Sequence, residues 1–337
     1  MSAPGTTSGP WFAEHDVTLW QGHVLEVLPT LEPESVNCVV TSPPYYGLRD
    51  YGVDGQIGLE ASPAEYVETL RAVFAEVRRV LRADGTLWLN LGDSYSSGRG
   101  ELNVGFNERY GKPVGVRKQD AARPSRRRDK AMTAAPRDAA TGLPPKNLLM
   151  IPERVALALQ DDGWVLRNKI TWVKPNAMPD SVTDRLACRY ELVYLFAKSQ
   201  RYAFDLDAIR QPHSREWTAG RNGGRNGWDR GDHLNAGLSA AAPHPLGGNP
   251  GDVWSIPTAP YPEAHFATMP PELARRCIAA GCPPDGTVLD PFTGSGTTLM
   301  VARRLLRNSV GIELNPGYCD LIVDRIGQPI FDFGDAS

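Results

Sequence analysis

The sequence predicts an α/β fold in which a mostly parallel sheet carries helices on both faces. Two strand, helix, strand units indicate this class. In the first, an amphipathic helical pattern over 63–81 follows the apolar run 35–40 and precedes the apolar run 86–91. In the second, a strand that ends at Asp290 is followed by a glycine loop, a helix and a strand that ends at Glu313. Parallel neighbours need such helical crossovers, so both units predict parallel strands.

The remaining elements extend this pattern. Apolar runs predict strands at 16–20, 165–174 and 189–199, and the last of these is expected to be the antiparallel member of the sheet. One helix is expected to end near Gly163. Another, with proline in its first turn, is expected to end near Gly281.

One elaborated domain is expected over 12–331, after a disordered N-terminus at 1–11 that is rich in Gly, Ser, Thr and Pro. Within it, 94–146 is predicted to be a flexible basic insertion, since 98–130 alone holds ten basic side chains against four acidic ones. Such a run is either a solvated loop or a mobile arm that neutralises phosphates. The glycine-rich stretch 200–256 predicts a surface module, a candidate for target recognition, although its scattered arginines are equally consistent with passive disorder.

Composition narrows the class of protein. A net charge of −3 and a pI near 6.1 argue against a protein that coats nucleic acid over its whole surface. The five cysteines include no C-x-x-C pair, which predicts neither a metal site nor a disulfide framework and fits a reducing compartment. No apolar run approaches the roughly 18 residues of a membrane span, and no signal-peptide pattern opens the chain. A cytoplasmic protein without a membrane partner is therefore expected.

The glycine loop DPFTGSGTT (290–298) is a candidate nucleotide site. A phosphate-binding P-loop would need a lysine directly after Gly296, where Thr297 stands. A dinucleotide fingerprint would need a third glycine where Leu299 stands. The remaining interpretation is a nucleoside cofactor without a pyrophosphate, held by backbone groups of the loop, with Glu313 for the ribose hydroxyls. S-adenosyl-L-methionine meets that description; the alternative is a glycine turn that only packs a helix against a strand.

A second loop motif, TSPPYY (41–46), directly follows the apolar run SVNCVV. Proline cannot donate to a sheet ladder, so the first proline ends the strand and the loop is stiff. In open α/β sheets the carboxyl edge of the strands is where ligands bind. The motif therefore predicts a ligand-binding loop.

Together the two motifs resemble those of the β-class DNA amino-methyltransferases, in which the catalytic loop precedes the cofactor loop. The resemblance covers nearly the whole chain and implies a Rossmann-like, seven-stranded sheet in circularly permuted methyltransferase order, with two loop-rich insertions. The family's catalytic motif is matched by Ser42, Pro43, Pro44 and Tyr45.

The resemblance also implies the cofactor residues. S-adenosyl-L-methionine would be held by Thr41, by the glycine loop and by Glu313, and the loop residues concerned are Asp290, Pro291, Phe292, Gly294, Ser295, Gly296 and Thr297. The stretch AHFATMPPEL (264–273) is similar to an element that helps to bind the methionine part, through His265 and Phe266. One departure is the Gly22-His23 pair, which stands where members usually carry Gly-Asp near the adenine of the cofactor.

The chemistry of the catalytic loop can be predicted from the amine that it must hold. The lone pair of an exocyclic base amine is delocalised into the ring, so acceptors must hold the nitrogen in a geometry that frees it. Ser42 Oγ and the Pro43 carbonyl are expected to accept the amine hydrogens, and Tyr45 is expected to stack on a flipped base. The sulfonium makes methionine a good leaving group, so no strong general base is needed. Attack on cytosine C5 would need a cysteine after proline, and no cysteine in this chain follows one.

In the family, Ser-Pro-Pro-Tyr favours cytosine N4 and Asp-Pro-Pro-Tyr favours adenine N6. A cytosine-N4 DNA methyltransferase is therefore expected, with an adenine-N6 enzyme as the alternative, because a serine can accept a hydrogen bond from either amine. A weakly active or inactive module that binds cofactor and DNA is a second alternative, suggested by His23. Methylation of RNA or of protein amides is disfavoured, since two large insertions suit a duplex better than a small target.

Duplex DNA is the expected partner, and a cognate restriction endonuclease is a candidate partner. The protein is expected to be a monomer or a homodimer. Basic residues of the insertion, of the strand after Gly163 and of the surface module are the candidate DNA contacts: Arg126, Arg127, Arg128, Lys174, Arg221 and Arg225.

Overall fold

The computed structural model describes residues 9–14, 16–96, 143–177, 179–213, 244–258 and 269–327. This part of the chain forms one sheet of nine strands. The strands are β1 (Phe12–Glu14), β2 (Val17–Gln21), β3 (Val36–Thr41), β4 (Leu81–Leu91), β5 (Val165–Val173), β6 (Tyr190–Ala197), β7 (Val253–Ser255), β8 (Thr287–Asp290) and β9 (Asn308–Glu313). The helices in the described residues are α1 (Val24–Val27), α2 (Pro63–Val80), α3 (Ile151–Asp161), α4 (Pro271–Gly281), α5 (Thr297–Arg304) and α6 (Pro316–Gly327).

The strand order is β1-β2-β9-β8-β3-β4-β6-β5-β7. Strands β2, β9, β8, β3 and β4 run parallel to one another, whereas β6 is antiparallel to both of its neighbours. The mostly parallel sheet and its antiparallel member are as predicted, but the expected count of seven strands was wrong. The sheet is extended at its edges by β1 and β7, which are three residues long. Segments this short show no hydrophobic period, so sequence patterning did not find them.

Helices cover both faces of the sheet. Side chains alternate along each strand, so Val39 and Leu87 face one core while Cys38 and Trp88 face the other. Helices α1, α2 and α3 pack on the first face, and α4 and α5 pack on the second. A smaller cluster joins α5 and α6 to β2.

Helix α2 shows how local sequence sets these elements. The side chain of Ser62 caps its start by accepting a 3.2 Å hydrogen bond from the Glu65 amide, and Pro63 occupies the first turn, where no backbone donor is needed. Its buried stripe, which includes Tyr66, Leu70 and Phe74, packs against the sheet.

The sheet topology positions the candidate site. Strand β3 pairs with β8 on one side and with β4 on the other, all parallel. The chain leaves β3 towards β4 and leaves β8 towards β9, in opposite directions across the sheet. This is a topological switch point, where a crevice opens at the carboxyl ends of the strands. Both predicted motifs, TSPPYY and DPFTGSGTT, begin at this edge.

Much of the two predicted insertions lies outside the described residues, namely 97–142 and 214–243, as does the N-terminal stretch 1–8. The described remainder of 200–256 contributes β7 to the sheet and a 3-10 turn at Asp207–Ile209. No helix in the described part of the chain is long and apolar enough to cross a membrane.

Candidate active site at the carboxyl edge of the sheet

Glycine backbone conformations and hydrogen bonds of Thr293 shape the loop after β8. Gly294 and Gly296 have φ angles of 56° and 79°, in the left-handed region that glycine tolerates best. The Thr293 amide donates to the Ile312 carbonyl at 3.0 Å, and the Thr293 hydroxyl donates to the Asp290 carbonyl at 2.9 Å. The turn therefore has one geometry and leads directly into α5.

The acid at the end of β9 lies beside this loop. Glu313 Oε2 accepts a 2.9 Å hydrogen bond from the Gly294 amide, and Oε1 accepts one of 2.8 Å from the Asn315 amide. Burial raises the pKa of Glu313 to about 7 despite these donors. The structure thus brings Gly294 and Glu313 together, as their spacing in the sequence predicted.

Two hydroxyls of the loop face α6. Arg325 donates to the Ser295 carbonyl at 2.8 Å, to Ser295 Oγ at 3.0 Å and to Thr297 Oγ1 at 3.0 Å. Sequence analysis missed Arg325, because no motif joins the last turn of α6 to a loop 28 to 30 residues earlier. These three contacts tie the loop to α6.

Asp290 holds the two predicted motifs together. Its Oδ1 accepts hydrogen bonds from the Thr41 hydroxyl at 2.7 Å and from the Phe292 amide at 3.1 Å. Burial raises the pKa of Asp290, and the Thr41 hydroxyl lowers it. Pro291 is buried, and Phe292 is half-buried against the core on the α2 face.

The loop after β3 is supported from α2. The Tyr66 hydroxyl donates a 2.8 Å hydrogen bond to the Pro44 carbonyl. The Gly47 amide donates to the Gly58 carbonyl at 2.7 Å, so the segment that follows folds back on the loop. Pro43 is buried and Ser42 is half-buried.

Ser42 and Tyr45 meet two polar side chains from neighbouring strands. Ser42 Oγ lies 3.3 Å from the Tyr45 hydroxyl and 3.4 Å from Asn90 Oδ1. The Tyr45 hydroxyl donates to Glu191 Oε2 at 2.8 Å and lies 3.2 Å from Asn90 Oδ1. Burial and the nearby Glu191 carboxylate raise the pKa of Tyr45 well above its usual value. The phenol therefore keeps its proton.

Sequence analysis missed Asn90 and Glu191. Each is a polar residue at the site end of an otherwise apolar strand, β4 and β6 respectively. That polarity was the available signal, but only the strand order brings both residues next to the loop after β3.

Tyr45 packs on Gly92, and Lys174 contacts Glu191 and Trp172. A Cβ atom added to Gly92 would lie 2.4 Å from Tyr45 Cε2, so the phenol ring packs directly on the Gly92 backbone. Lys174, predicted to contact DNA, forms an ion pair with Glu191 and lies over the Trp172 ring at 4.6 Å from its centroid. Both partners of this ion pair are less than one fifth exposed.

His23 begins α1. Its Nδ1 accepts a 3.2 Å hydrogen bond from the Leu25 amide, as an aspartate N-cap would do. The preceding Gly22 amide donates to the Glu313 carbonyl at 2.9 Å, so this turn adjoins the end of β9. His23 therefore caps α1 although it stands where the family usually has an aspartate.

Several predicted site residues lie outside the described part of the chain. They are the methionine-site candidates His265 and Phe266 and the candidate DNA contacts Arg126, Arg127, Arg128, Arg221 and Arg225. Among the described residues, no group of three or more His, Cys, Asp or Glu side chains is arranged to hold a metal ion.

Comparison with known proteins identifies the family of the chain. Residues 36–324 match the family model described as DNA methylase, of the N6/N4 type. The chain belongs to this DNA methylase family. The enzyme is 46% identical over 309 residues to the Type II methyltransferase M.XycI of Xanthomonas campestris pv. cyanopsidis, a match that covers 92% of this chain and 87% of the relative.

Solved structures share the fold of the enzyme. The cytosine-N4-specific PvuII DNA methyltransferase superposes with a TM-score of 0.61 and 19% identity, over 96% of this chain and 91% of that one. A DNA modification methylase from Thermus thermophilus, complexed with S-adenosyl-L-methionine, gives a TM-score of 0.52 and 21% identity over 93% and 96% of the two chains. At these identities the similarity establishes the architecture of the methyltransferase domain.

Proposed function

We propose that the enzyme transfers a methyl group from S-adenosyl-L-methionine to the exocyclic N4 amine of a cytosine flipped out of duplex DNA. The observation that carries this proposal is the contact between Thr41 and Asp290. Ser42, the candidate amine acceptor, directly follows Thr41, and Asp290 is the first residue of the glycine loop. Acceptor and cofactor loop therefore share one crevice.

The residues of the crevice fit this cofactor. Among the residues that the structure describes, none lies nearer than 3.9 Å to a Cβ added to Gly294, so these residues leave space above the loop backbone. Glu313, beside that space, has the carboxylate oxygens that ribose hydroxyls need as acceptors. No lysine follows Gly296 to hold a phosphate, which matches a nucleoside cofactor without one. When bound, S-adenosyl-L-methionine supplies an electrophilic methyl group.

The role of the chain is then to position the amine. Ser42 Oγ and the Pro43 carbonyl accept its two hydrogens, and the buried ring of Pro43 fixes the spacing between these acceptors. Tyr45 stacks on the flipped base, with its own ring supported by Gly92. The amine proton leaves after methyl transfer, so no side chain is needed as a strong base.

Ser42 also favours cytosine over adenine, because the Ser-Pro-Pro-Tyr form of the motif is the one that leans towards cytosine N4 in this family. The arginines Arg126, Arg127, Arg128, Arg221 and Arg225 are proposed to contact the duplex. Lys174 is proposed to act at the base site rather than on phosphates, since it is paired with Glu191. A cognate restriction endonuclease is the proposed cellular partner, by analogy with the Type II relative.

The proposal is tested by incubating the protein with S-adenosyl-L-methionine and mixed-sequence duplex DNA, then digesting the DNA to nucleosides for mass spectrometry. N4-methylcytosine is the expected product, and its formation should be lost in Ser42→Ala while cofactor binding is retained. N6-methyladenine would overturn the choice of base and leave the site intact. Cofactor binding with no methylated nucleoside would support a binding module in place of an enzyme.

A further inference from the structure

Two side chains, Tyr45 and Asn90, connect the Ser42 hydroxyl to a half-buried ion pair. Ser42 contacts Tyr45 and Asn90, both of these contact Glu191, and Glu191 pairs with Lys174. In the ion pair, Lys174 directly follows β5 and Glu191 lies at the start of β6, which is two strands away from β3 in the sheet. Such a network has a direction, because each hydroxyl proton can point to only one acceptor at a time.

Glu191 sets that direction at one end. An ionised carboxylate can only accept, and Glu191 accepts from Lys174, from the Tyr45 hydroxyl at 2.8 Å and from Asn90 Nδ2 at 3.2 Å. The Tyr45 hydroxyl has a second acceptor in reach, Asn90 Oδ1 at 3.2 Å, but the carboxylate is nearer and charged, so the proton lies on the bond to Glu191. The phenol oxygen is left with lone pairs towards Ser42.

The Asn90 side chain is also held in one orientation by its hydrogen-bond partners. Its Nδ2 faces two acceptors, Glu191 Oε2 and the Leu192 carbonyl, each at 3.2 Å. This fixes the orientation of the amide, so Asn90 Oδ1 must face Ser42. Both neighbours of the Ser42 hydroxyl in this network are then acceptors, and its proton points inward to one of them.

We infer that Glu191 is a specificity-determining positioning residue, which commits the Ser42 proton inward so that Ser42 Oγ presents only lone pairs to the base. A base with an exocyclic amine donates to those lone pairs. A base with a carbonyl at the same position, such as uracil or hypoxanthine, opposes an acceptor with an acceptor and is rejected. The inference rests on the proposed function, since it concerns the same base site.

Replacement of Glu191 by glutamine tests this direction. Lys174 can only donate, so it would draw the carbonyl oxygen of the new glutamine to itself and turn the amide NH2 towards Tyr45 and Asn90. The network would reverse, and the Ser42 hydroxyl would be free to donate to a carbonyl base. The second substitution, Lys174→Met, removes the donor that orients the glutamine. The glutamine oxygen can then face the two donors again.

The experiment uses the full-length protein with S-adenosylhomocysteine and the duplex that mapping of the methylated positions identifies. Binding is compared between the duplex with the amino base at the target and the same duplex with its carbonyl analogue, uracil for cytosine or hypoxanthine for adenine. We expect Glu191→Gln to reduce the preference of the wild-type protein for the amino base by about 10- to 100-fold, the range that an unsatisfied buried hydrogen-bonding group produces. The double variant with Lys174→Met should recover part of that preference.

Glu153→Gln is the matched control, since Glu153 forms a 2.7 Å ion pair with Lys169, which lies on β5, the strand that Lys174 directly follows, and is outside the network. Cofactor affinity and melting temperature report whether each variant is folded. An unchanged base preference in Glu191→Gln would overturn the inference, as would a double variant that is no better than the single one. Absence of any methylated position for the wild-type protein would instead refute the proposed function.

Discussion

The Thr41 hydroxyl donates a 2.7 Å hydrogen bond to Asp290 Oδ1 across the boundary between β3 and β8. Thr41 is the last residue of β3 and Asp290 is the last residue of β8, and both are buried. Ser42 directly follows Thr41, and Asp290 is also the first residue of the glycine loop. The bond therefore couples the two halves of the candidate active site.

Removal of this bond should destabilise the protein. Thr41→Val keeps the side-chain shape but leaves the buried Asp290 carboxylate with one donor fewer, which should cost about 1–3 kcal/mol in the free energy of unfolding. The bond lowers the pKa of Asp290, so its loss matters when the carboxyl is ionised and fades as the pH falls. Urea unfolding at pH 8 and at pH 5 measures both effects. Thr41→Ser, which keeps the hydroxyl, is the control, and equal stabilities of the two variants would contradict the assignment.

Arg325 should matter for cofactor affinity although it lies in α6. Arg325→Met removes the guanidinium nitrogen that makes three contacts with Ser295 and Thr297, so the glycine loop is held less firmly. We expect the affinity for S-adenosylhomocysteine to fall roughly tenfold, equivalent to about 1.4 kcal/mol, by isothermal titration calorimetry. Arg82→Met removes an exposed arginine near Asp84 and should leave the affinity unchanged. Identical affinities for both variants would show that the loop is rigid without Arg325.

The basic insertion should appear in the salt dependence of DNA binding. Replacement of Arg126, Arg127 and Arg128 by alanine removes three charges, so the slope of log K against log salt concentration should become shallower by about 2 to 3. Replacement of the same residues by lysine keeps the charge and should keep the slope. Fluorescence anisotropy with a labelled duplex between low and moderate salt measures it. A slope that is unaffected by the alanine substitutions would favour a solvated loop.

Local sequence predicted the elements that depend on local patterns. The pattern over 63–81 predicted α2, which spans Pro63–Val80, because an apolar stripe, an N-cap and a proline at the first turn all lie within it. The spacing between Asp290 and Glu313 placed an acid at the end of the next strand, since a crossover of that length returns the chain to the neighbouring strand, and Glu313 lies there beside the glycine loop.

Contacts between distant segments could not be predicted in this way. Glu191 reaches Tyr45 over 146 residues, and only because β4 and β6 are neighbours in the sheet. Lys174 is a predicted DNA contact, and its ion pair with Glu191 depends on the pairing of β5 with β6. Charge and residue type suggest which groups act, but strand order decides which of them meet.

Gly92 should be intolerant of a side chain. The Cβ of Gly92→Ala would lie 2.4 Å from Tyr45 Cε2, so the phenol ring must move and its bond to Glu191 must weaken. We expect the methylation rate to fall by about tenfold or more while cofactor affinity is retained, since a small displacement of a positioned group is costly for catalysis. Single-turnover methylation and calorimetry separate the two quantities. Gly327→Ala, where a Cβ meets no atom of the described residues within 4 Å, is the control, and full activity in Gly92→Ala would remove the ring from the mechanism.

Cofactor affinity should increase with pH through the titration of Glu313. Burial raises the pKa of this carboxyl to about 7, and only the ionised form offers acceptors to both ribose hydroxyls. The protonated form dominates below that pH, so the affinity for S-adenosylhomocysteine should rise about tenfold from pH 6 to pH 8 and then level off. Binding near pH 6 should release close to one proton, which calorimetry in two buffers of different ionisation enthalpy detects. Glu313→Gln cannot titrate and should bind weakly with no such dependence, whereas a wild-type profile that is flat across this range would place the ribose elsewhere.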